Sequence, residues 1–153
     1  MRSAARFRVF MLFSPCMILI LVAGFSLESF ACQSDTALGK TKSMAETQHE
    51  IVMLLIKKKE FDKAATEACK IFSMKWPEDQ EPLLLKELLI LSDQFYQNGQ
   101  VSIGLRLIEK NEKSFRKVSS QIAILKEKGY LFKSMNQMDK ALECFREAQK
   151  LEQ

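Results

Sequence analysis

Two helices packed through small residues are written into the last 32 residues, Ile122 to Gln153. The stretch reads IAILKEKGYLFKSMNQMDKALECFREAQKLEQ, with Met135-Asn136-Gln137-Met138 as a turn between two amphipathic segments. In the second segment Ala141, Phe145 and Ala148 fall at steps of four and three, one face of a helix with 3.6 residues per turn. Leu125, Gly129 and Phe132 repeat those steps in the first segment. Small Gly129 opposite small Ala141 and Ala148 lets the two helices approach closely around Phe132 and Phe145.

The same spacing recurs upstream. In EFDKAATEACKIF it is carried by Ala64, Ala68 and Ile71, with Trp76-Pro77 closing the unit. The helix before it runs from about Ala45 to Lys58, with Val52 and Leu55 in the small and aromatic places. In NGQVSIGLRLIEKN, Asn98-Gly99 makes the turn and Gly104, Ile108 and Asn111 follow. The partner helix runs from about Glu81 to Gln97, with Ser92 and Phe95 in register. The key small residues at 64, 104 and 141 are separated by 40 and 37 residues.

A small residue and an aromatic on one helix, then Ala, Phe and Ala on the next, resembles the tetratricopeptide repeat (TPR) family. The family period is about 34 residues, so each connection here carries a few extra residues. The resemblance implies an all-α fold, a short α-solenoid of about three helix-turn-helix units near 45–78, 81–117 and 121–153. An ordinary six-helix bundle with the same core spacing is the alternative. Composition agrees with either: helix-favouring Leu, Lys, Glu, Gln and Met abound, while five Gly and three Pro are too few for a turn-rich all-β fold.

Ahead of the repeats, Arg2, Arg6 and Arg8 precede an uncharged apolar run from Val9 to Phe25. Ser29-Phe30-Ala31 then offers small residues three and one before a cut after Ala31, as a signal peptidase reads them. Three readings of residues 1–31 stay open: a cleaved signal peptide, a lipoprotein signal with lipidation at Cys32, or a retained membrane anchor. Each places the rest of the chain in an exported compartment, periplasmic or membrane-tethered in a bacterial envelope, otherwise the secretory pathway. Residues 32–43 are polar and aperiodic and read as a linker. From Met44 onward 18 basic and 17 acidic residues remain, no electrostatic case for nucleic acid.

Chemistry is sparse in this sequence. His49 is the single histidine, and no Ser or Cys stands at a spacing that completes a nucleophilic set. There is no Gly-rich phosphate loop, no H-E-x-x-H and no C-x-x-C. We therefore expect no enzyme, no cofactor and no metal site. Of the four cysteines, Cys69 and Cys144 sit a whole unit apart, too far for a disulfide in a solenoid.

The TPR resemblance implies a concave groove lined by the first helix of each unit. Carried onto this sequence, that face holds His49, Met53, Ile56 and Lys57 in the first unit. The second contributes Lys86, Leu89, Asp93, Tyr96 and Gln97, and the third Lys126, Tyr130, Lys133 and Ser134. Both tyrosines of the chain fall in this set with four lysines, which points to a peptide or helical partner, acidic by charge complementarity. The family's chaperone clamp needs asparagines beside its lysines, and none stands at the matching places. The resulting expectation is a non-enzymatic interaction scaffold, like the small envelope TPR proteins and lipoproteins that scaffold secretion or outer-membrane assembly. The alternative is a homo-oligomer that stacks through exposed terminal edges, where Leu142 and Leu151 lie without a capping helix.

Overall fold

A computed structural model describes the backbone of residues 16–153 and the side chains of residues 36–153. The signal or anchor expected over residues 1–31 and the lipidation expected at Cys32 lie outside those described side chains. Among the described residues, no helix is long and apolar enough to cross a membrane. The chain divides into two units, Met1–Ala37 and Leu38–Gln153, and the second holds the helical hairpins.

All regular structure among the described residues is helical. Six α-helices follow in order: α1 (Cys16–Lys57), α2 (Phe61–Ser73), α3 (Glu81–Gln97), α4 (Val101–Asn111), α5 (Val118–Ser134) and α6 (Met138–Leu151). Short 3₁₀ turns at Glu78–Gln80 and Glu112–Ser114 lead into α3 and follow α4. Residues 32–43, read from the sequence as linker, lie instead inside α1. The physical reason is propagation: no proline interrupts the stretch, and each residue added to a formed helix gains a hydrogen bond without a new nucleus. Over residues 36–43 the polarity goes with mostly exposed side chains on the helix.

The helices join as hairpins through three turns of one design. Lys59, Gly99 and Asn136 each adopt a positive φ, at 61°, 74° and 60°. After α1, the Lys59 N–H donates to the Ile56 carbonyl (2.8 Å) and the Glu60 N–H to that of Leu55 (2.9 Å). After α3, Gly99 donates to Tyr96 and Gln100 to Phe95; after α5, Asn136 donates to Lys133 and Gln137 to Phe132. This pair of bonds around a left-handed residue is the Schellman motif, which satisfies the last carbonyls of a helix. Each turn residue stands five places before the small residue of the next helix: Ala64, Gly104 and Ala141. The 40- and 37-residue spacing read from the sequence is therefore also a spacing of backbone conformation.

The small and aromatic positions form the core. Val52, Ala64, Ala68, Ile71, Ser92, Phe95 and Ile108 are fully buried, and Phe132, Ala141 and Ala148 nearly so. Burying each large apolar side chain contributes roughly 1.5–3 kcal/mol. Close approach is sharpest at Gly129, where an added Cβ would lie 2.7 Å from the Phe145 ring. That ring also meets Tyr130 edge-on at 5.2 Å. Any larger residue at 129 would therefore displace the Phe145 ring of α6.

Packing also links one hairpin to the next. α2 packs on α4, α4 on α5 and α3 on α5. Gln48 on α1 donates its amide to the Glu67 carboxylate of α2 (2.7 Å). At the start of α3, the Glu81 carboxylate accepts the N–H groups of Arg116 (3.2 Å) and Lys117 (3.0 Å), just before α5. Burial alone would push the Glu81 carboxyl up, but the Ser120 hydroxyl and those two amides bring it below its ordinary range. These contacts fix α5 against α3, and an open cavity lies between that pair of helices.

Candidate functional site

The cavity between α3 and α5 measures about 480 Å³. From α3 it is lined by Asp93 and Tyr96, three residues apart on one helical face. From α5 come Glu127, Tyr130, Leu131, Lys133 and Ser134, and Met138 closes the side from α6. Tyr96 is 46% exposed and Tyr130 60%, so both rings are reachable from the opening. Tyr130 is braced from behind by Phe145.

Two carboxylates sit at the floor and rim. Glu127 on α5 accepts a hydrogen bond from the Ser92 hydroxyl of α3 at 3.0 Å. Burial pushes the Glu127 carboxyl above its ordinary range; the Ser92 hydroxyl holds it partly down, and the nearby Asp93 charge adds to the rise. Asp93 is exposed and accepts a hydrogen bond from the Gln97 amide one turn later. Lys133 lines the same cavity, but among the described residues it forms no ion pair with either carboxylate.

Five of the residues expected from the sequence meet here: Asp93, Tyr96, Tyr130, Lys133 and Ser134. Ser134 turns its hydroxyl back to the Leu131 carbonyl (2.8 Å), so it has only acceptor lone pairs left for the opening. The others stand apart. Lys86 and Gln97 are exposed on α3 outside the cavity lining, and Leu89 is half-buried. Lys126 points instead to the end of α6, pairing with Glu152 at 2.6 Å.

The first-unit residues contribute to other surroundings. Ile56, expected on the groove, is 4% exposed and belongs to the core. It corrects the carried-over pattern, because α1 turns that side inward with Val52. Met53 is half-buried against the same core, and Lys57 ends α1 in solvent. His49 lines a separate cavity of about 430 Å³ with Trp76, Leu83 and Glu87, and its Nδ1 lies 2.6 Å from Glu87 Oε1. That bond ties α1 to α3.

Sequence reading missed Glu127. The signal was present: Glu127 stands between Ile124 and Leu131 on the buried stripe of α5, where an acid breaks an apolar pattern. Cys69 and Cys144 are free thiols, half-buried and buried. Burial pushes the Cys144 thiol up, away from the reactive thiolate. Among the described residues no cluster of His, Cys, Asp and Glu could hold a metal ion.

In comparison with known proteins, the sequence matches no family model and no curated protein.

Proposed function

We propose that the chain is a non-enzymatic protein–protein interaction scaffold, a short solenoid of three TPR-like repeats that seats a partner peptide or helix between α3 and α5. The observation that carries this reading is the pair of exposed tyrosines, Tyr96 and Tyr130, facing one cavity from two helices. Tyrosine gives a large contact area with only two side-chain torsions to immobilise, and Phe145 already braces Tyr130. The repeat reading is supported by the recurrence of one turn at Lys59, Gly99 and Asn136 with the small residue always five places on. The cavity's own carboxylates, Glu127 and Asp93, weigh against the acidic partner expected from the lysine count.

Placement of the scaffold in an exported or membrane-tethered setting rests on Arg2, Arg6, Arg8 and the apolar run that follows. Replacing Tyr96→Ala together with Tyr130→Ala removes the two largest contact surfaces of the cavity. We expect partner capture by the full-length chain to be lost while the helical circular dichroism stays unchanged. Capture at the wild-type level by a folded double variant would overturn the site.

Self-association is the second reading. Leu142 on the outer side of α6 is 47% exposed, an apolar edge open to a second copy.

A further inference from the structure

Among the described residues, every half-buried glutamate but one has a cationic side chain, a histidine or two backbone N–H groups against it. Glu60 pairs with Lys63, Glu67 with Lys70, Glu87 with His49 and Glu112 with Lys128, and Glu81 accepts two backbone N–H groups. Glu127 has a single neutral hydroxyl from Ser92 and no ion pair among the described residues. A carboxylate taken partly out of water without a countercharge is destabilising, and the remedy is a cation brought to it. Glu127 lines the cavity, and so does Asp93, whose hydrogen bond comes from the uncharged Gln97 amide. Two exposed tyrosine rings flank the same space, and an aromatic face attracts a cation by roughly 0.5–2 kcal/mol.

We propose that this cavity receives a cationic side chain, an arginine or lysine of the partner segment, against Glu127 and Asp93 and between Tyr96 and Tyr130. The inference rests on the groove reading and names the chemistry of its occupant. The carboxylates supply the charge that selects, and the tyrosines hold the aliphatic stem and the flat guanidinium.

The chain's two tyrosines are both in this cavity, so isotope labelling at tyrosine gives two reporter signals and no others. The full-length labelled chain is titrated by NMR with a blocked pentapeptide, Ala-Ala-Arg-Ala-Ala. Matched peptides carry citrulline or glutamate at the centre. We expect the arginine peptide to move both signals to saturation and to bind about tenfold or more tighter than either companion. Glu127→Gln and Asp93→Asn should each weaken the arginine peptide by about fivefold or more while both tyrosine signals keep their folded dispersion. Equal binding of the citrulline or glutamate peptide would overturn the cation preference and leave the groove standing. So would an arginine affinity unchanged in both folded carboxylate variants. Silence of both tyrosines toward all three peptides would overturn the inference too, and the capture experiment with Tyr96→Ala and Tyr130→Ala then decides the groove separately.

Discussion

Glu127 is a residue whose cost to the fold follows from its surroundings. Its carboxyl is raised above its ordinary range mainly by burial, so between the unfolded and folded pKa the native state holds more protons than the unfolded chain. Stability therefore falls as pH rises through that window and recovers as pH falls through it. Glu127→Gln keeps an oxygen to accept the Ser92 hydroxyl and removes the charge. We expect the variant to melt at a higher temperature than wild type near neutral pH, with the gap closing below the ordinary glutamate range. A gap that is independent of pH, or a variant less stable at neutral pH, would mean that the ionised carboxylate has a countercharge. The same residue shows a limit of sequence reading. Tyr96 and Tyr130 stand out because exposed aromatics at helical spacing are legible as contact surface. The pairing of Glu127 with Ser92 spans two helices 35 residues apart, and only packing reveals which side of α5 faces α3.

At the scale of elements, turn chemistry was legible wherever the residue type announced it. Asn98-Gly99 and Asn136 read as turns because glycine and asparagine tolerate the left-handed conformation that the Schellman motif requires. Lys59 does the same work without that tolerance, so the first turn was invisible as a turn and visible only as the place where the helix pattern changed. A side chain in the left-handed region costs roughly 1–2 kcal/mol. Glycine relieves that strain but gives some back through the freedom it adds to the unfolded chain. Lys59→Gly should therefore stabilise by about 0.5–1 kcal/mol, read as a higher midpoint in urea denaturation followed by circular dichroism. No change, or a loss, would show that the lysine stem packs usefully at the turn. The helical backbone of residues 32–43 was hidden for the complementary reason. Residues 32–43 carry no apolar stripe to betray a helix, and α1 continues through them because nothing in the sequence stops it.

The register of the three turns also relates residues across the whole of Leu38–Gln153, and their exposures report what covers each surface. Leu105 on α4 and Leu142 on α6 occupy equivalent places, 37 residues apart. Leu105 is 8% exposed because α5 packs on α4, whereas Leu142 is 47% exposed. End-to-end stacking of copies would need the α2 side of the next copy to accept that leucine. On α4 the side that meets α2 carries Ile103 and Leu107, but the equivalent places on α2 itself carry Lys63 and Glu67. Both are engaged locally, Lys63 with Glu60 and Glu67 with Lys70. Covering them with a leucine edge would strip water from two ion pairs, a desolvation penalty that one leucine does not offset. We therefore expect light scattering of the full-length chain to give a constant protein mass, that of one chain, over a hundredfold dilution from tens of micromolar. A mass that grows with concentration and returns to one chain in Leu142→Gln would establish stacking through α6 and make self-association the leading role.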